Sequence, residues 1–168
     1  MKSAIAFGIL SCIAINASAK DDLPFATTTI YSNTAGASDR ATTITESVRA
    51  NERVCMVLYR EGFKFAAISA SNKFPASVMV HGIQSAGGEL RMDIGYGGAI
   101  PLEFSVNEGF FVNVHKMDNK DATALVEHAG KSIVQFSDPS GDTDDQFISA
   151  IIDSGTSKVF NECVERLK

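Results

Sequence analysis

The chain lacks tryptophan and contains only three cysteines and four prolines among its 168 residues. After residue 19 it has no apolar run of membrane-spanning length, so we expect no integral membrane span in the mature chain. It also has no cluster of lysine or arginine, and its formal net charge is −5. A nucleic-acid-binding protein needs a basic surface for phosphates, so this composition argues against that class.

The common catalytic and cofactor motifs are missing as well. No HExxH helix and no G-x-S-x-G elbow occurs. The glycine-rich segments 85–88 and 95–98 do not lead into a helix with a phosphate-binding pattern, so we interpret them as turns or bulges. The sequence therefore predicts no catalytic residues and no cofactor.

The first 19 residues have the features of a secretory signal peptide. Lys2 provides a positive start, Ala4 to Ile15 are mostly apolar, and Ala17-Ser18-Ala19 has the small side chains of a cleavage site. We therefore predict a cleaved signal peptide at 1–19 and a single β-rich domain at 20–168. The mature domain carries 14 basic and 20 acidic residues, so its formal charge is −6. A periplasmic or secreted location follows from this interpretation.

The two cysteines that survive cleavage predict a disulfide. Cys12 lies in the removed segment, whereas Cys55 and Cys163 enter an oxidising compartment as one pair. Such a bond closes a loop of about 108 residues, worth nearly 5 kcal/mol in the chain-entropy model. Two separate buried thiols, or a free nucleophilic cysteine, are the alternatives.

A second interpretation of the leader makes Cys12 a lipidated N-terminus. Leu10-Ser11-Cys12 loosely resembles a lipoprotein signal, but Leu10 is bulky for that position. Cleavage after Ala19 accounts for the whole segment better.

Alternating apolar and polar residues predict a series of strands, followed by helical spacing in two places. Asp118 or Asn119 can cap a first helix that stops at Gly130, and Asp153 or Ser154 can cap a last helix. We expect a mainly β (α+β) fold, namely a single antiparallel β-sandwich or partly open barrel with two short helices, the second at the C-terminus. The predicted strands cover residues 26–31, 42–48, 54–59, 63–69, 78–83, 90–94, 100–106, 110–114, 133–136 and 147–152.

Two groups of side chains are weak candidates for metal binding. Asp138, Asp142 and Asp144 lie near a flexible glycine and could hold calcium, but they lack EF-hand spacing, and a solvated turn is the simpler interpretation. The three histidines do not have the spacing of a zinc site and are interpreted as surface or half-buried residues. They are His81, His115 and His128.

Two further features concern the strands. Phe111 follows Phe110, which alternation assigns to the core, so Phe111 faces outward and either packs under a helix or contributes to a partner surface. Three acidic residues lie on or beside these strands, namely Asp93, Glu103 and Glu108. Two of them could form a carboxylate pair only if the fold brought them together. Exposed strand carboxylates are the simpler interpretation.

The region from Leu90 to Phe160 resembles the invasion-associated locus B family of exported bacterial proteins. Met92-Asp93-Ile94-Gly95 is similar to an Asp-containing strand of that family, and Ile100-Pro101-Leu102 leads into a similar hairpin. Ala124-Leu125-Val126 lies in the following helix. The closing elements follow in the same order, at 133–136 and 151–160.

One departure from this family concerns its hairpin cysteines. The family places two nearby cysteines in the hairpin, where this chain has residues such as Ser105 and Phe110. The resemblance therefore implies that the local disulfide is absent and that Cys55–Cys163 substitutes for it. It also implies an envelope or secreted protein associated with host-cell invasion, and it supplies no catalytic residues.

These observations predict an exported, non-enzymatic protein that acts by binding a protein partner whose identity the sequence leaves open. A periplasmic inhibitor or immunity protein against a hydrolase or toxin is the alternative within the binding class. An envelope hydrolase is the alternative of another class, and it requires a pocket that gathers titratable groups with perturbed pKa values.

Overall fold

A computed structural model describes residues 24–35, 39–82, 89–93, 99–107, 110–131, 135–137 and 147–168. These residues contain ten strands and two helices, and none of their helices is long and apolar enough to cross a membrane. In chain order the elements are β1 (Ala26–Ala35), β2 (Arg40–Arg49), β3 (Glu52–Glu61), β4 (Lys64–Ser71), β5 (Ala76–His81), β6 (Glu89–Asp93), β7 (Ala99–Asn107), β8 (Phe110–Met117), α1 (Asn119–Ala129), β9 (Gln135–Ser137), β10 (Phe147–Ser149) and α2 (Ser154–Glu165).

The strands form one antiparallel sheet in the order β1-β2-β3-β4-β5-β8-β7-β6-β9-β10. The described strands do not close this sheet into a barrel. This confirms the predicted mainly β class with two helices, the second at the C-terminus. The β3–β4 turn contains Gly62 at φ +60, a left-handed conformation that costs glycine little. Ala50 adopts φ 49 in the β2–β3 turn, where a side chain makes the same region less favourable.

Side chains alternate between two faces of the sheet, which we call the core face and the outer face. On β3, Cys55, Val57 and Tyr59 are buried on the core face, whereas Met56 and Leu58 lie on the outer face and are half-buried. The helices and β10 pack against the core face. The main hydrophobic core therefore lies between β2–β5 on one side and α1, α2 and β10 on the other.

Both helices begin at the aspartates that the sequence indicated. The Asp118 carboxylate accepts a hydrogen bond from the backbone N–H of Asp121 at 2.7 Å, and the Asp153 carboxylate accepts one from Gly155 at 2.8 Å. Gly130 ends α1 as predicted, but in a right-handed conformation with φ −73. Its lack of a side chain matters because a Cβ there would lie 2.9 Å from the Asp153 carbonyl oxygen. Gly130 thus allows α1 and the start of α2 to approach closely.

The strand β7 contains the one proline of the described strands. Pro101 lies in β7 opposite Arg91 of β6, and the ladder between β7 and β8 stops at Glu103. Proline has no N–H to donate, so it is tolerated where one side of a strand lacks a pairing partner.

Candidate functional site

Cys55 of β3 and Cys163 of α2 lie at disulfide distance, as the sequence predicted. Their Sγ atoms are 1.98 Å apart and their Cα atoms 6.0 Å apart, although 108 residues separate them along the chain. Both side chains are fully buried. The pair therefore links an interior strand of the sheet to the C-terminal helix.

A second link joins the N-terminal strand to the same helix. The Asp153 carboxylate, which caps α2, accepts hydrogen bonds from the Tyr31 hydroxyl and from Asn33 Nδ2, the latter at 2.7 Å. Thr156 Oγ1 lies 3.5 Å from the same carboxylate oxygen. Sequence reasoning identified Asp153 as a cap but missed Tyr31 and Asn33, because nothing local relates residues about 120 positions apart.

This cluster shifts two pKa values. The hydrogen bond from Tyr31 lowers the pKa of Asp153 below its ordinary value of 3.8, burial opposes that shift, and the hydrogen bonds from Gly155, Asn33 and Thr156 add to it. The same Tyr31–Asp153 hydrogen bond, together with burial and the nearby negative charge, raises the pKa of Tyr31 above 10.0. The hydrogen bonds that satisfy these polar groups hold β1 against α2. We therefore interpret the cluster as a structural clamp.

Replacing Asp153 by asparagine is expected to weaken this clamp and to flatten the acid dependence of stability. The pKa of Asp153 is lower in the folded protein than in the unfolded chain. Its contribution to the free energy of unfolding is therefore present at pH values above its unfolded-state pKa, and it is lost as the pH falls through its folded-state pKa. Asparagine can still cap the helix, so the loss at neutral pH reports the bonds from Tyr31 and Asn33, about 1–2 kcal/mol. Urea unfolding between pH 7 and pH 2 measures both effects.

Asp118→Asn is the matched control, since Asp118 caps α1 through Asp121 of its own helix. We expect its urea midpoint to change much less at neutral pH. Equal losses in the two variants would contradict the clamp.

A charged cluster lies where α2 ends beside β2 and β3. Glu46 contacts both Arg53, at 3.3 Å, and Arg166, at 3.1 Å, while the nearly buried Glu52 pairs with Arg49 at 2.9 Å. A shallow cleft of about 180 Å³ opens beside these groups. Because the arginines already have carboxylate partners, the cluster is better suited to holding α2 on the sheet than to binding an anion.

The outer face of the sheet lies on the side opposite the described helices. On this face the register aligns Leu58 of β3 with Met79 of β5 through Ala67 of β4, and Met56 lies two residues before Leu58 on β3. The ring of Phe65 stacks on His81 at a centroid distance of 4.9 Å. Polar side chains flank this apolar strip on the neighbouring register positions, namely Thr43, Thr45, Ser47, Ser69 and Ser77.

The other sequence candidates do not assemble into a site among the described residues. His81 is on β5, His115 on β8 and His128 on α1. No group of three or more His, Cys, Asp or Glu within the described ranges could hold a metal ion. The proposed calcium residues, Asp138, Asp142 and Asp144, lie outside the described residues.

The carboxylates and Phe111 occupy strand positions. Asp93 pairs with Ala99 and Glu103 with Glu89, at opposite ends of the β6–β7 ladder, so the fold does not bring Asp93 and Glu103 together. Glu108 lies outside the described residues. Phe111 lies opposite Val106 in the β7–β8 ladder, and its predicted role at a partner surface stays a prediction.

Comparisons with protein-family models, with curated proteins and with solved structures found no match to this chain. The resemblance to the invasion-associated locus B family stays a prediction.

Proposed function

We propose that the chain is an exported bacterial protein of the envelope or the extracellular space that acts by binding another protein. The Cys55–Cys163 pair at disulfide distance supports export, since such pairs are stable in oxidising compartments and rare in the cytosol. An association with host-cell invasion rests on the sequence resemblance alone. The signal peptide at residues 1–19 is part of the same proposal.

The observation that carries the binding proposal is the outer face. Met56, Leu58 and Met79 are half-buried there, so part of each side chain is accessible to solvent. The described helices pack on the opposite side of the sheet and do not cover these residues. An apolar patch with a polar rim is typical of protein interaction sites, and flexible methionine side chains adapt readily to a partner. The outer face therefore offers an apolar strip with a polar rim, which is the chemistry that protein binding uses.

Site-specific photo-crosslinking in the native cell envelope tests this proposal. A photoreactive amino acid at Met79 is expected to give a discrete cross-linked species with a second protein. The same residue at Ala124, an exposed position on α1, is the matched control and is expected to give none. Mass spectrometry of the cross-linked species identifies the partner.

The nature of the partner decides between the two binding alternatives. A hydrolase or toxin whose activity falls when the purified chain is added would support the inhibitor alternative. A surface or host protein supports the proposed function as stated. Identical patterns from Met79 and Ala124 would show that the outer face is not the binding surface.

A further inference from the structure

The first strand, β1, forms one edge of the sheet and is long for an edge strand. Within the described residues, β1 is hydrogen-bonded to β2 alone, so every second residue directs its backbone N–H and C=O away from the sheet. β1 is ten residues long, whereas β10, at the opposite edge, has three. Its length makes β1 a template for pairing with another strand.

Most devices that protect an edge strand are missing from β1. Its sequence, ATTTIYSNTA, contains no lysine, no other charged residue and no proline. Threonine, isoleucine and tyrosine favour extended conformations. The one protective device is a bulge between Thr29 and Tyr31.

Other contacts hold β1 in place through side chains. Tyr31 and Asn33 bind the Asp153 carboxylate, Thr27 Oγ1 lies 2.8 Å from Ser47 Oγ, and Arg49 lies 4.3 Å from the centroid of the Phe25 ring just before β1. These contacts involve side chains and fix the strand against β2 and α2. The outward backbone N–H and C=O groups of β1 therefore belong to a strand that side-chain contacts hold in place.

The bulge gives β1 a symmetry that an unbroken strand lacks. It shifts the side-chain alternation by one residue, so Thr27 and Thr29 share the outer face with Ser32 and Thr34. A two-fold axis between Ile30 and Tyr31 would place Thr29 opposite Ser32, and Thr27 opposite Thr34, in an antiparallel pair. Without the bulge, the same axis would place opposed side chains on different faces.

We propose that the β1 edge binds the β1 edge of a second copy of this chain, forming a symmetric dimer with one continuous antiparallel sheet. The opposed hydroxyl side chains are favourable cross-strand pairs, and a symmetric interface uses the same surface on both copies. An uncharged strand also lets two chains of net negative charge meet without like-charge contacts. This inference is independent of the proposed function, which uses the outer face and a different protein.

Sedimentation velocity over a range of protein concentrations tests the dimer, with the oxidised protein isolated after expression of the full chain. We expect a monomer–dimer equilibrium for the wild type. Thr29→Lys with Ser32→Lys places lysines opposite each other across the axis and is expected to raise the dissociation constant at least about tenfold. Both positions are exposed, so the monomer fold should persist, as checked by its melting curve.

Two matched variants test whether the dimer depends on the charges that face each other across the two-fold axis or only on added charge. Thr29→Lys with Ser32→Glu places opposite charges across the same axis and is expected to retain the dimer. Ala124→Lys adds a positive charge on α1 and is expected to leave the dimer unchanged. A monomeric wild type, an open-ended oligomer, or equal weakening by the Lys/Lys and Lys/Glu pairs would overturn the proposal.

Discussion

Replacing Cys55 and Cys163 together by alanine is expected to lower the free energy of unfolding by about 4–5 kcal/mol. The bond closes a loop of 108 residues, and the entropy that a cross-link removes from the unfolded chain grows with loop length. Both cysteines are fully buried, so the variant also loses contacts inside the core. A loss of this size is a large part of the total stability of a small domain.

Guanidinium unfolding of the oxidised proteins measures this loss. Cys12→Ala is the matched control, because Cys12 lies in the predicted signal peptide, and it should leave the midpoint of the isolated protein unchanged. Adding a reductant should move the wild type toward the double variant and should not move the double variant itself. A double variant that unfolds at the wild-type midpoint would contradict the stabilising role of the pair.

Phe160→Ala is expected to lower the free energy of unfolding by about 3–5 kcal/mol, the second large effect. Phe160 lies on α2 and is fully buried in the core that α2 shares with the sheet. Truncating it removes apolar contacts and leaves a cavity between the helix and the strands. The disulfide cannot compensate, since it restrains one point of the helix and fills no space.

Phe63→Ala is the matched control for Phe160→Ala. It removes the same atoms from a residue that is 80% exposed in the β3–β4 turn. We expect a change within about 0.5 kcal/mol, because exposed side chains contribute little to stability. Urea unfolding of both variants at one pH supplies the comparison, and similar losses in the two would mean that α2 is not packed as described.

The sequence predicted most of the secondary structure because the signals are local. Alternation in residues such as Val54 to Tyr59 reflects one buried face, and β3 has that pattern. Asp118 and Asp153 cap helices through backbone groups two or three residues away, which a sequence window contains. The spacing of the apolar residues Val159, Phe160, Cys163 and Val164 likewise predicts that Cys163 lies on the apolar side of a helix, and Cys163 is buried on α2.

The parts that the sequence did not predict depend on contacts between distant segments. No local signal indicates that β5 pairs with β8 and not with β6. The clamp around Asp153 needs Tyr31 and Asn33, whose hydroxyl and amide groups have no distinctive pattern in β1. The apolar strip of the outer face likewise arises only when the register aligns Leu58 with Met79 across Ala67 of β4.

Intact mass spectrometry of the isolated protein, with thiol alkylation before and after reduction, tests the central claim most directly. That claim is an exported chain in which Cys55 and Cys163 bond the sheet to the C-terminal helix. It predicts a chain that begins at Lys20, no alkylation of the unfolded but unreduced protein, and alkylation of both cysteines after reduction. Alkylation of Cys55 or Cys163 without reductant, in protein isolated from the cell envelope, would contradict it.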